Sequence, residues 1–369
     1  MTINQSIRKV LSTSAVMAIA VSVLVGCGSS SSTSGNASSG SNSKKTATKS
    51  DNLKVALLLP DTTSSARYES EDKPDFIADM KKLAPNVTVD YQNAQADSTT
   101  QQKQAQAEIT NGAKVLVVDP VDSTAAATIV TQAHRANVKV ISYDRMISGP
   151  VDYYVSFDNE KVGELQGQYI ADNTKKGGTV VMINGAQTDP NALQFSQGAH
   201  KVLDPLFKNG TLKKGYETFT PNWDPANGLR EMQQALTKLN NHVDGVLSAN
   251  DGLAGAIIQA LSAQKLAGQV PVTGQDATDA GLHDILQGTQ GMTVYKAVPT
   301  EANTAAQIAA DIVNGKTPPS SLVSSSVKDG SATVPAVLLT PVVVTKSNIK
   351  DTVIKDGYTT MAKINNPGK

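Results

Sequence analysis

Charged, amide and aromatic side chains stand where the β-rich runs of this chain end. Arg67-Tyr68 follows the first apolar run, Asp144-Arg145 follows another, and Asn250 and Asp276 follow two more. Asn191 lies beyond Asp189-Pro190, Trp223 in an Asn-Trp-Asp-Pro segment, and Lys296 after Thr293-Val294-Tyr295. Together they offer carboxylate acceptors (Asp144, Asp276), cationic donors (Arg67, Arg145, Lys296) and amides that do both (Asn191, Asn250). Tyr68 and Trp223 add flat apolar faces. A polyhydroxylated ring needs this mixture. Each hydroxyl seeks a donor and an acceptor, and the C–H faces seek an aromatic plate. Charge-assisted hydrogen bonds strengthen the grip, and a buried partner left unpaired penalises a ligand that lacks one hydroxyl. Taken singly, each residue also has a structural role. Asp and Asn form turns and cap helices, Trp223 fits a core, and Arg145 pairs with Asp144. The predicted site rests on every strand exit carrying such a group.

Other chemistries are less well served. There is no GxGxxG and no GxxxxGK[ST] to cradle a phosphate, and no Ser nucleophile elbow. His134, His200, His242 and His283 are scattered, without a metal-ligand partner at useful spacing. No metal or cofactor is expected. Asp144 and Asp276 keep open a carboxylate-based glycoside-processing enzyme, but Arg145 beside Asp144 favours the ionised form over a proton donor. Formal net charge is +0, and no basic stripe is visible, which argues against nucleic acid.

The elements that must position these residues alternate. The pattern predicts strands over 54–59, 87–91, 114–119, 138–143, 179–184, 243–249, 270–275 and 292–295. Between them it predicts helices over 99–111, 123–136, 160–174, 191–207, 225–240 and 253–266. Continuously apolar strands such as Val115-Leu116-Val117-Val118 are expected where both sheet faces are covered. Alternating β and α argues parallel sheets with right-handed crossovers. An internal echo supports two similar lobes. Asp119 and Asp144 frame one strand–helix–strand unit, and Asp251 and Asp276 another, with the acids 25 positions apart in both. Ligands of open α/β sheets bind outside the carboxyl ends of the strands.

Ahead of these elements, Arg8-Lys9 and an apolar run from Val10 to Val25 form an export signal. It ends at Leu24-Val25-Gly26-Cys27, the only cysteine of the 369 residues. These four residues resemble a bacterial lipobox, which implies cleavage before Cys27 and acylation of its sulfur. Acyl chains contribute roughly 0.8 kcal/mol per buried methylene towards holding a protein on a membrane. Residues 27–50 are rich in Ser and Gly, cannot offset chain entropy by burial, and are expected to be a tether.

From Leu53 to Tyr358 the chain resembles the pentose- and hexose-binding group of type I periplasmic binding proteins, which includes the D-xylose-binding proteins of bacterial sugar ABC importers. The shared words are Tyr143-Asp144-Arg145-Met146-Ile147, the run Val155 to Gln166, Gly274-Gln275-Asp276-Ala277, Thr293-Val294-Tyr295-Lys296, and Asn348 to Tyr358. The resemblance implies two Rossmann-like lobes on a three-stranded hinge. It assigns 51–155 plus 297–329 to the first lobe and 156–296 plus 330–369 to the second. It implies that Arg67, Tyr68, Asp144, Arg145, Asn191, Trp223, Asn250, Asp276 and Lys296 hold a monosaccharide, D-xylose foremost. Tyr68 stands where the family usually has Trp, and Ala249 precedes Asn250 where the family has Ser. A monomeric receptor that closes on its ligand and docks on an ABC permease is the implied function. A regulator of the same lobe fold would need a helix-turn-helix where the export signal stands. A role in chemosensing stays open.

Overall fold

The computed structural model describes residues 53–329 and 332–368. The export signal (1–26), Cys27 and the tether lie outside the described residues. The chain opens with β1 (Leu53–Leu59), α1 (Lys73–Leu83), β2 (Val87–Asn93), α2 (Ser98–Thr110), β3 (Val115–Val118), α3 (Ala127–Arg135), β4 (Lys139–Tyr143) and β5 (Tyr153–Phe157). It continues through α4 (Asn159–Asn173), β6 (Thr179–Asn184), α5 (Pro190–Lys208), β7 (Lys213–Phe219), α6 (Pro225–Lys238), β8 (Gly245–Ser248), α7 (Asp251–Ala263), α8 (Asp279–Gln287) and β9 (Thr293–Tyr295). It then returns with α9 (Val298–Val313), β10 (Ser325–Asp329) and β11 (Ala332–Leu339), and ends in β12 (Val342–Val344) and α10 (Met361–Asn365).

The first lobe is built on a sheet of order β10-β11-β5-β4-β3-β1-β2, parallel except for β10. Alternation along β1 explains its two cores. Val55, Leu57 and Leu59 pack with Phe76 and Met80 of α1 and with α9, and Ala56 and Leu58 pack on the opposite face with α2 and α3. The second lobe has a parallel sheet, β7-β6-β8, and an antiparallel pair, β9-β12. The segment 270–275 lies between them. Expected as a full strand, it makes only two parallel bridges, Val246 with Val272 and Gln275 with Val294. Pro271 brings no N–H to a ladder.

The chain changes lobe between β5 and α4, between β9 and α9, and between β11 and β12. The first and third connectors touch, since Asp158 N donates to Leu339 O at 2.9 Å. The third crossing corrects the sequence expectation. Residues 332–339 were assigned to the second lobe, but β11 pairs with both β10 and β5 in the first sheet. Val334, Ala336 and Val337 are buried in the first-lobe cores. The crossing follows Leu339.

In the second lobe α4 and α5 pack very closely. A Cβ at Gly163 would lie 1.8 Å from Phe195 O, and one at Gly198 would lie 1.9 Å from Glu160 O. Gly163→Ala should therefore destabilise the protein by roughly 1–3 kcal/mol through overpacking. Gly255, exposed on α7 with nothing within 4 Å of its Cβ position, is the control. Gly255→Ala should stabilise by roughly 0.5–1 kcal/mol. Denaturant unfolding of the two variants checks both signs.

Candidate ligand-binding site

Two aspartates mark equivalent corners. Asp144 leaves β4 and Asp276 leaves the 270–275 segment, both with left-handed backbone (φ 54 and 97). In each, the N–H donates to the neighbouring strand at 2.9 Å, Asp144 to Val155 O and Asp276 to Val294 O. In each, the carbonyl accepts a tyrosine hydroxyl at 3.0 Å, from Tyr154 and from Tyr358. The echo in the sequence is thus an echo in geometry. Its other pair diverges. Asp119 lies beside Arg145, while Asp251 accepts from Thr278 N and Gln290 Nε2.

Helix starts supply two more groups. Asp189 caps α5 and accepts from Asn191 N, and Asn250 caps α7 by accepting from Leu253 N at 2.9 Å. The capping role and the site role coexist, because the amide nitrogens remain free to reach across. Asn250 Nδ2 donates to Ser64 O at 3.1 Å, and Asn191 Nδ2 to Asp144 O at 3.1 Å. Ser65 Oγ donates to Asp276 Oδ2 at 3.0 Å, and Arg145 Nε meets Asp189 Oδ2 at 2.9 Å. These four contacts join the two lobes directly.

The ions are buried and paired. Arg67 makes a two-point contact with Asp72, Nε to Oδ2 and Nη2 to Oδ1, both at 3.0 Å. Lys296 Nζ donates to Asp144 Oδ1 at 3.0 Å. Burial pushes the Asp144 carboxyl up, but Arg67, Lys296 and Arg145 together outweigh it and hold it well below the usual carboxylate range. Burial raises Asp189 against the opposing pull of Arg145, and raises Asp119 well above its ordinary value. Arg145 also donates from Nη2 to the Tyr68 hydroxyl at 3.0 Å. The Tyr68 ring lies 5.4 Å from the Arg67 guanidinium carbon and 5.8 Å from that of Arg145, within cation–π range.

All nine residues predicted from the sequence to hold a ligand (Arg67, Tyr68, Asp144, Arg145, Asn191, Trp223, Asn250, Asp276 and Lys296) line one cavity between the lobes. The cavity is narrow, and most of the side chains that line it are polar or charged. Ser64, Ser65, Asp189, Phe195 and Gln275 complete the wall and were not predicted. Asp189 and Gln275 each sit within two residues of a predicted group, which is a usable signal. Trp223 has left-handed backbone (φ 55), donates from Nε1 to Asp189 Oδ2 at 3.0 Å, and meets the edge of Phe195 with centroids 6.4 Å apart. Among the described residues, no group of three or more His, Cys, Asp or Glu is placed to hold a metal.

Two α/β lobes, mostly parallel sheets and a polar cleft define a type I periplasmic binding protein. The chain matches the periplasmic binding protein domain family over residues 55–317 and belongs to it. It is 43% identical over 289 residues to the D-xylose-binding periplasmic protein of Escherichia coli strain K12, covering 78% of this chain and 86% of that one. It is 38% identical over 320 residues to the D-xylose-binding periplasmic protein of Haemophilus influenzae, covering 86% and 94%. Among solved structures, a carbohydrate transporter solute-binding protein of Chloroflexus aurantiacus in complex with D-glucose superposes with a TM-score of 0.78 at 31% identity. That match covers 84% of this chain and 97% of the other.

The Trp223 ring depends on the absence of a side chain at Gly185, where a Cβ would lie 2.1 Å from the ring. Gly185→Ala should displace the only tryptophan from its buried seat. A red shift of its fluorescence emission, with the fold retained by circular dichroism, is the expected result.

Proposed function

We propose that this protein is the extracytoplasmic receptor of a sugar ABC importer and that it binds D-xylose between its lobes. The observation that carries the reading is the convergence of nine sequence-predicted residues on one small cavity. The wall is charge-balanced, with Arg67, Arg145 and Lys296 facing Asp144, Asp189 and Asp276. Each cation has a carboxylate within hydrogen-bond distance. Such a wall suits a neutral polyol better than a sugar phosphate or sugar acid, which would bury an unmatched charge. Tyr68 from the first lobe and Trp223 from the second supply apolar faces for the ring. Arg67 Nη1 is buried without a hydrogen-bond partner and is an available donor for a hydroxyl. Xylose is favoured among sugars by the names of the two relatives described above.

The mechanism is capture rather than chemistry. A sugar touching both lobes stabilises the closed form by its extra affinity for that form. Closure would bring surfaces of both lobes together for a permease. Cys27, once acylated, would keep the receptor at the membrane.

Titration with D-xylose while recording the fluorescence of Trp223 tests the reading directly. D-xylose should saturate the signal and outcompete D-ribose, L-arabinose and D-glucose. Trp223→Ala, followed by calorimetry, and Asp276→Asn should each weaken binding by at least about tenfold, since a hydrogen bond to a charged group contributes about 1.5–3 kcal/mol. No response to any pentose or hexose would refute the proposal. Cys27→Ser should move the protein from the detergent phase to the aqueous phase. Continued partitioning into detergent would refute the lipid anchor.

A further inference from the structure

Behind the cavity wall the charges near Arg67 are uneven. Arg67 Nη2 meets Glu301 Oε2 at 3.2 Å and Asp144 Oδ2 at 3.6 Å, in addition to the two-point contact with Asp72. Lys296 holds the other oxygen of Asp144. Three carboxyls therefore share two cations, and none of the five side chains is more than 5% exposed. Arg145 also acts on Asp144, but its guanidinium is itself engaged by Asp189 at 2.9 Å and faces Asp119 at 3.6 Å. The Tyr143 hydroxyl of β4 donates to Asp72, and the Tyr154 hydroxyl of β5 donates to Asp144 O. Glu301 is in the first turn of α9, just past the second lobe crossing, and is fully buried. Its Oε1 has no hydrogen-bond partner.

We propose that Glu301 is a positioning residue for ligand capture: it packs against Arg67 as the uncharged acid, leaves Arg67 Nη1 unengaged at the cavity wall, and couples lobe closure to a proton. The inference rests on the sugar-binding reading of the cavity. A third ionised carboxylate here would leave one negative charge unmatched away from water, where burying a charge is costly. Burial and the Asp144 charge push the Glu301 carboxyl well above its ordinary value, against the pull of Arg67 and Lys296. The sign follows. A carboxyl raised in the folded protein favours folding at low pH, and this contribution is lost as pH rises through its folded value. Opening the cleft gives water access to the Arg67–Asp144 side and relieves the penalty on the ionised form. Closing on a ligand then takes up part of a proton. Affinity should fall as pH rises, by at most about tenfold per pH unit for one linked proton.

Wild type, Glu301→Gln and Glu301→Ala would be titrated with D-xylose from about pH 5 to about pH 9, with unfolding temperatures of the sugar-free proteins over the same range. Wild type should bind more weakly as pH rises. The amide of Glu301→Gln mimics the neutral acid, so this variant should hold wild-type low-pH affinity across the range. Glu301→Ala should be weaker at every pH, because the guanidinium loses its neighbour. The wild-type unfolding temperature should decline with pH relative to that of Glu301→Gln. A wild-type slope retained in Glu301→Gln, or Glu301→Gln binding as poorly as Glu301→Ala at low pH, would overturn the proposal. Failure of wild type to bind any pentose or hexose at any pH would instead refute the sugar reading, while the sugar-free unfolding profiles still decide the protonation of Glu301.

Discussion

Ions buried between two lobes are expensive. Removing a charged side chain from water costs several kcal/mol unless its partner is held in good geometry. Arg67, Arg145 and Lys296 are each less than 7% exposed, and so are the carboxylates that meet them. Much of the surrounding chain is arranged to meet that requirement. Asp72 follows Arg67 by five residues and receives it at two points. Asp189 faces Arg145 from the other lobe and is itself fixed by the Trp223 indole N–H. Partners supplied from opposite sides of a cleft are complete only where its two walls meet, as Arg145 meets Asp189 and Lys296 meets Asp144.

The same corners store backbone strain. Asp144, Trp223 and Asp276 occupy the left-handed region, which non-glycine residues adopt at a cost of roughly 1–3 kcal/mol. Half of the other left-handed non-glycine residues among those described are asparagines (Asn137, Asn222, Asn240 and Asn241), which tolerate that region. At the two aspartate corners a strand N–H···O bond and a tyrosine hydroxyl lock the unusual turn. The turn aims each carboxylate at the cavity instead of along the sheet. The same corner, built from different flanking residues, stands at a strand exit in both lobes.

Much of this was legible in the chain. The apolar runs gave β1, β3, β4, β6 and β8, because short stretches buried on both faces carry an unmistakable pattern. The nine site residues were legible as a set, from polar groups gathered near strand exits and from the family resemblance, although Trp223 alone would also fit a core. Other elements were hidden for physical reasons. β7, Lys-Lys-Gly-Tyr-Glu-Thr-Phe, is an edge strand with largely polar residues. α9 is rich in alanine, so its buried face carries few large apolar side chains. β10 and β11 were missed and the third crossing was thereby set at 329/330 instead of after Leu339, since Ser325, Ser326 and Lys328 do not alternate with large apolar residues. Glu301 was invisible as a partner of Arg67, because only tertiary packing brings a residue 234 positions away to the same guanidinium.

The three connectors between the lobes impose a restriction of their own. Each is only a few residues long, and the first and third are tied by the Asp158–Leu339 bond. Short parallel straps of this kind bend together easily, but sliding or screwing would have to stretch one strap against another. Motion is thereby channelled into a single coordinate, much like covers turning about a book's spine. Two lobes strapped in this way, if swung shut by a ligand, would meet in the same register whichever molecule drew them together.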